Sequence, residues 1–170
     1  MIAETVIAPK KSWWRRWLVA PVVAQLTVGI SPERLGWTIA LGIVLGVFPI
    51  LGTPTLVCLL AGYWLRLNHP VLQVFKELVY PLHLVLIPVF IRLGERLYGV
   101  PLTSFSIPDL LGKFKNDPLQ FGRDFGMTAW HAVIVWLLIA PVVVVLIKLA
   151  VTPVLRKLAL SIQKRREANP

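Results

Sequence analysis

The chain is poor in charge and nearly without cysteine: Asp, Glu, Lys and Arg make up 15% of its 170 residues, and Cys58 is its single thiol. One cysteine excludes an internal disulfide framework and leaves the redox compartment unspecified. Negative charge is scarcest. Eight acidic residues stand against eighteen basic ones, a formal net charge of +10. Such an excess suits nucleic acid, an anionic lipid surface or the basic flanks of membrane spans. The 56% hydrophobic content and the mean hydropathy of +0.73 decide among these. A nucleic-acid binder needs a soluble core carrying a basic face, whereas the uncharged runs here are too long to fold away in a chain of this size. An all-α membrane protein is the expected class, with membrane lipids as partners and no nucleic acid.

Residues 1–30 form a basic, Trp-rich segment in which Lys10, Lys11, Arg15 and Arg16 alternate with Trp13, Trp14 and Trp17. That mixture suits a helix in the membrane interface, capped by Ser12, with Arg15 and Arg16 as contacts for lipid headgroups. A cleaved signal peptide is the less favoured alternative, since tryptophans among the charges and Pro21 suit it poorly.

Residues 31–151 read as one membrane domain. It opens on Leu35 to Leu65, 31 residues without Asp, Glu, Lys, Arg or His. A straight helix of that length extends roughly 46 Å against a hydrocarbon core of about 30 Å, so it must tilt hard or break. Pro49, Gly52 and Pro54 predict a break, which makes 35–65 a broken helical hairpin, either re-entrant or fully crossing. Gly42 and Gly46 have a GxxxG spacing, whose ordinary use is close helix packing. A span over 70–97 follows, with Pro81 and Pro88 on one face, then a polar loop over 99–124. Within that loop, 107–114 suits a short amphipathic turn, and Asp117-Pro118 reads as a helix cap and first turn. The run 125–147 is the cleanest span, and 152–170 is a basic cytoplasmic tail. Basic residues flank both ends of the chain's spans, so both termini are expected in the cytoplasm and the number of crossings is expected to be even.

Ser31-Pro32-Glu33-Arg34-Leu35-Gly36, the spaced glycines leading into Phe48-Pro49-Ile50-Leu51-Gly52, and Leu65-Arg66-Leu67-Asn68 resemble the bacterial membrane family called domain of unknown function 2062. The resemblance covers about residues 31–99. Two positions depart from the family pattern: Thr53-Pro54-Thr55 stands where the family has a Gln, and Tyr80-Pro81 stands for an Asn-Pro step. The resemblance implies an integral bacterial membrane protein with no established activity. Because the domain can accompany glycosyltransferase domains, it also hints at envelope glycolipid work.

The three histidines, His69, His83 and His131, lie far apart with no cysteine or acid at ligand spacing, so no metal or other cofactor is expected. No nucleophile has a base and an orienting group beside it, and no phosphate-cradling loop is present, so an enzyme is not expected. Polar chemistry concentrates at the break. Pro49, Gly52, Thr53, Pro54 and Thr55 free backbone groups that need partners, and Tyr80, Pro81 and His83 are the expected neighbours. Arg66 and Lys76 are candidate lipid-headgroup contacts, with an Arg66–Glu77 pair as the alternative. Arg92, Glu95 and Arg96 share a helix face and suit a local ion pair. The leading functional expectation is a structural or accessory inner-membrane component, acting beside a second copy or another membrane protein. The alternatives are a transporter or lipid-translocating protein using the broken hairpin, and an anionic-lipid-binding scaffold.

Overall fold

The computed structural model describes residues 20–100, 112 and 115–168. The described residues contain six helices and no strand: α1 (Ala20–Thr27), α2 (Pro32–Gly46), α3 (Pro54–Trp64), α4 (His69–Leu78), α5 (Tyr80–Tyr98) and α6 (Pro118–Glu167). Most of the expected interfacial segment, including Arg15 and Arg16, lies outside the described residues, as does nearly all of the turn expected over 107–114.

Prolines and short polar caps set most of the boundaries. The Ser31 side chain accepts the Arg34 N–H at the start of α2, where Pro32 supplies a first residue that needs no hydrogen bond. Asn68 does the same for α4, accepting the Val71 N–H at 3.1 Å, and its amide also donates to Gln25 Oε1 at 2.7 Å, which ties α4 to α1. Helix α3 ends with Arg66 in the left-handed region (φ 50°) and the Leu67 N–H bonded back to the Gly62 carbonyl at 2.9 Å. Glycine usually takes that position, so an arginine there costs roughly 1–2 kcal/mol.

Helix α6 is the spine. Its 50 residues extend roughly 75 Å. Arg156 pairs with Glu33 at 2.8 Å, Thr152 packs where Gly36 has no side chain, and the Trp136 indole N–H donates to the Val44 carbonyl at 3.3 Å. Tyr98 stacks on His131, with ring centroids 4.1 Å apart. Both α2 and α5 therefore run antiparallel to α6. Helix α4 lies parallel to α2: Gly42 faces Leu72 and Phe75, and Gly46 faces Lys76 and Val79. One core joins Ala40, Val44, Cys58, Leu72, Phe90, Trp136 and their neighbours, and a second gathers Val22, Leu35, Ile39, Val71 and Leu155 around α1.

One expectation is corrected. The span over 70–97 is two helices meeting at Val79 with a bend of 66°. Pro81 at the second position of α5 has no N–H for the Glu77 carbonyl, so the turn opens there, while Pro88 sits inside α5 without ending it. Asp117-Pro118 is the expected cap and first turn: α6 begins at Pro118, inside the stretch 99–124, and the Asp117 carboxylate accepts the Gln120 N–H at 2.9 Å. The basic tail continues α6 as a helical extension, which passes through Pro141 and Pro153 to Glu167.

Among the described residues, one helix, over Leu119–Lys164, is long and apolar enough to cross a membrane, and α4 with α5 makes a second if the bent pair is one span. The outward surface is apolar over much of this length. Leu56, Leu60, Tyr63 and Trp64 on α3, Val85 on α5, and Leu138, Val142 and Leu146 on α6 are all exposed, far more than an isolated surface residue or two.

Two measurements check this packing. A Cβ on Gly42 would lie 2.8 Å from the Leu72 carbonyl oxygen, which backbone cannot easily vacate. Gly42→Val is expected to lower stability in detergent by about 1–3 kcal/mol. Gly126→Ala, at a glycine with nothing within 4 Å, should hold or raise the denaturation midpoint. The Glu33 carboxyl is held below its ordinary value of 4.5, first by its own backbone N–H and then by Arg156. A lowered folded value means that its contribution is present above pH 4.5 and fades as pH falls through the lowered value. The midpoint difference between wild type and Glu33→Gln should shrink on acidification and be flat at neutral pH.

Candidate functional site

Seven residues, Val47 to Thr53, separate α2 from α3. Pro49 has no N–H to continue the α2 ladder onto the Leu45 carbonyl, and the Phe48 N–H takes that acceptor at 3.2 Å. The chain then turns on itself. Gly52 adopts φ 81°, and Thr53 donates to the Ile50 carbonyl from both its amide (3.3 Å) and its hydroxyl (2.8 Å). Pro54 opens α3. The turn is pinned to the spine by Phe48, whose ring meets Trp136 edge-on at 5.0 Å.

The bend at Val79 lies against this turn, so two interrupted helices face each other. Between them is a cavity of about 280 Å³ lined by Gly46, Leu51, Gly52, Pro54, Thr55, Lys76, Glu77, Tyr80 and His83. The structure thus gathers Gly52, Pro54, Thr55, Tyr80 and His83 of the expected polar set. Pro49, Thr53 and Pro81 shape the backbone around the cavity.

The contacts within the set differ from those expected. Thr53 is satisfied by its own turn, and the Thr55 hydroxyl accepts from Lys76 Nζ at 2.8 Å. Neither threonine bonds to Tyr80 or His83. Lys76, expected at the headgroups, is buried with 7% exposure, and its ammonium also pairs with Glu77 Oε1 at 2.6 Å. The reason is placement. Lys76 lies two turns into α4 on the face that meets Gly46, and the missing side chain at 46 admits its stem. Glu77 is taken by Lys76, and Arg66 sits at the opposite end of α3, so the alternative Arg66–Glu77 pair does not form.

His83 is 1% exposed, and neither ring nitrogen has a hydrogen-bond partner. Tyr80 stands edge-on to it at 6.0 Å. Sequence reasoning missed Gly46 and Leu51 as walls and Lys76 as the cavity's cation. The available signal was Gly46 standing three residues before Pro49, and Lys76-Glu77 standing just before the Tyr80-Pro81 break.

The other expected groups stay apart from this site. Arg92 pairs with the buried Glu95 at 3.1 Å near the far end of α5. His69 packs on Gly62, and His131 is stacked under Tyr98. Among the described residues, no three His, Cys, Asp or Glu side chains gather into a set able to hold a metal ion.

No curated protein and no solved structure is a match for the chain. A family model described as "Uncharacterized protein conserved in bacteria (DUF2062)" matches residues 13–168, a stretch that includes all six helices and both breaks. The chain belongs to that bacterial family, domain of unknown function 2062.

Proposed function

We propose that this is an integral inner-membrane protein, not an enzyme, that binds an anionic polar group at its helix breaks and passes it across the bilayer. The observation that carries this reading is His83, buried and unbonded at both nitrogens on the wall of a cavity it shares with the Lys76 ammonium. A buried imidazole without partners costs roughly 1–3 kcal/mol, so a site that keeps one is built for a partner of its own.

Depth supports the same reading. Phe48 rests on Trp136, the central residue of the run 125–147. If that run crosses a bilayer, the cavity is near its midplane, where transporters use interrupted helices to present polar groups. In this arrangement α2 and α3 form a re-entrant hairpin, α4–α5 and α6 cross, and both termini are cytoplasmic. The exposed apolar faces of α3, α5 and α6 then meet lipid.

The chemistry of the cavity favours an anion. Lys76 Nζ and an imidazole N–H are donors on its buried side, while Glu77 is 67% exposed and can yield the ammonium to a competing oxyanion. An accessory structural role, the first expectation from sequence, would be served as well by apolar side chains at positions 76 and 83.

Proteoliposomes containing a labelled phosphatidylglycerol or a small-anion reporter test the proposal. Protein-dependent movement of one probe is expected, reduced about tenfold or more by Lys76→Met and by His83→Leu. His83→Leu is expected to keep or raise the thermal midpoint, because it removes an unsatisfied buried group. Vesicles that move neither probe would return the protein to an accessory role.

A further inference from the structure

We infer that the cleft at the opposite end of the α2–α3 hairpin seats the headgroup of an anionic phospholipid. This cleft, of about 870 Å³, lies between the chain leaving α1, the first turns of α2 and the α3–α4 connection. Arg34 and Arg66 both line it. Among the described residues neither guanidinium is in an ion pair, and the neighbouring Glu33 is held by Arg156. A third cation stands beside it, with Lys148 Nζ 5.4 Å from the centre of the Trp37 ring.

Two arginines without an ion pair on the wall of one cleft suit an anion, and guanidinium groups bind phosphate oxygens in pairs. Ser31 adds a donor, since its oxygen already accepts the Arg34 N–H and its own O–H remains for an acceptor. The rest of the wall selects the source of the phosphate. Trp37 and Leu65 line the same cleft and are 40% and 57% exposed. A free phosphate would leave that apolar surface bare, whereas a phospholipid covers it with glycerol and chain while its phosphate meets the arginines. A zwitterionic headgroup brings its own cation and gains less from the surplus charge. The seat requires that the chain meet lipid, and it is independent of any movement through the helix breaks.

The test is tryptophan quenching on the purified full chain in detergent micelles carrying brominated phosphatidylglycerol or brominated phosphatidylcholine. The signal is the share of quenching that Trp37→Phe removes. Phosphatidylglycerol is expected to quench Trp37 at about tenfold lower mole fraction than phosphatidylcholine. Arg34→Gln with Arg66→Gln should erase that preference, and Arg96→Gln on α5 should leave it intact. If the double variant does not fold, Arg66→Lys keeps the charge but loses the forked geometry and should weaken the preference severalfold. Equal quenching by the two lipids overturns the inference, as does a preference that survives the arginine substitutions. Competition by inorganic phosphate as strong as by unbrominated phosphatidylglycerol would also overturn it, assigning the cleft to a soluble anion.

Discussion

A proline cannot donate a backbone hydrogen bond, and three of them, Pro49, Pro54 and Pro81, govern this structure. Without them, the run from Leu35 to Leu65 and the stretch from Pro70 to Leu97 each have the composition of a continuous helix. With them, two helices stop short and the freed backbone groups must find partners locally. The turn after α2 closes through Ile50 and Thr53, and the bend at Val79 lets the His83 N–H reach the Val79 carbonyl at 2.8 Å. Because α4 packs parallel to α2 on Gly42 and Gly46, the two interruptions fall at the same level. The polar cavity follows from that coincidence.

The spine fixes the level. Trp136 holds Phe48 by its ring and Val44 by its indole N–H, so the turn cannot slide along α6 without losing both contacts. Farther along α6, Thr152 at Gly36 and Arg156 at Glu33 repeat the antiparallel register, and Gly94 against His131 sets it for α5. Small residues recur at these approaches because helices that meet without a side chain between them gain close dispersion contact.

Much of this was legible in the chain, and the misses share a cause. The break over Pro49 to Pro54 was readable because proline and glycine act locally, through missing donors and permitted φ. The bend at Val79 was not legible, since sequence does not say whether Pro81 is bridged by the helix around it, as Pro88 is, or ends it. The polar set at the break was readable as composition, but its pairings were not. Lys76 looked like an interfacial cation because it borders a charge-free run, and only the space above Gly46 in another helix turns it inward. Helix α6 runs on into the tail, with Pro153 accommodated within the helix.

The central claim is that α2 and α3 enter and leave a membrane on the same side, with their turn at mid-depth. Thiol accessibility of Thr53→Cys in a Cys58→Ala background, measured in intact cells, tests it most directly. Slow reaction with an impermeant reagent added outside, together with ready reaction with a small permeant one, is the predicted result. Rapid modification of the introduced thiol by the impermeant reagent would put the turn at the outer surface and contradict the account.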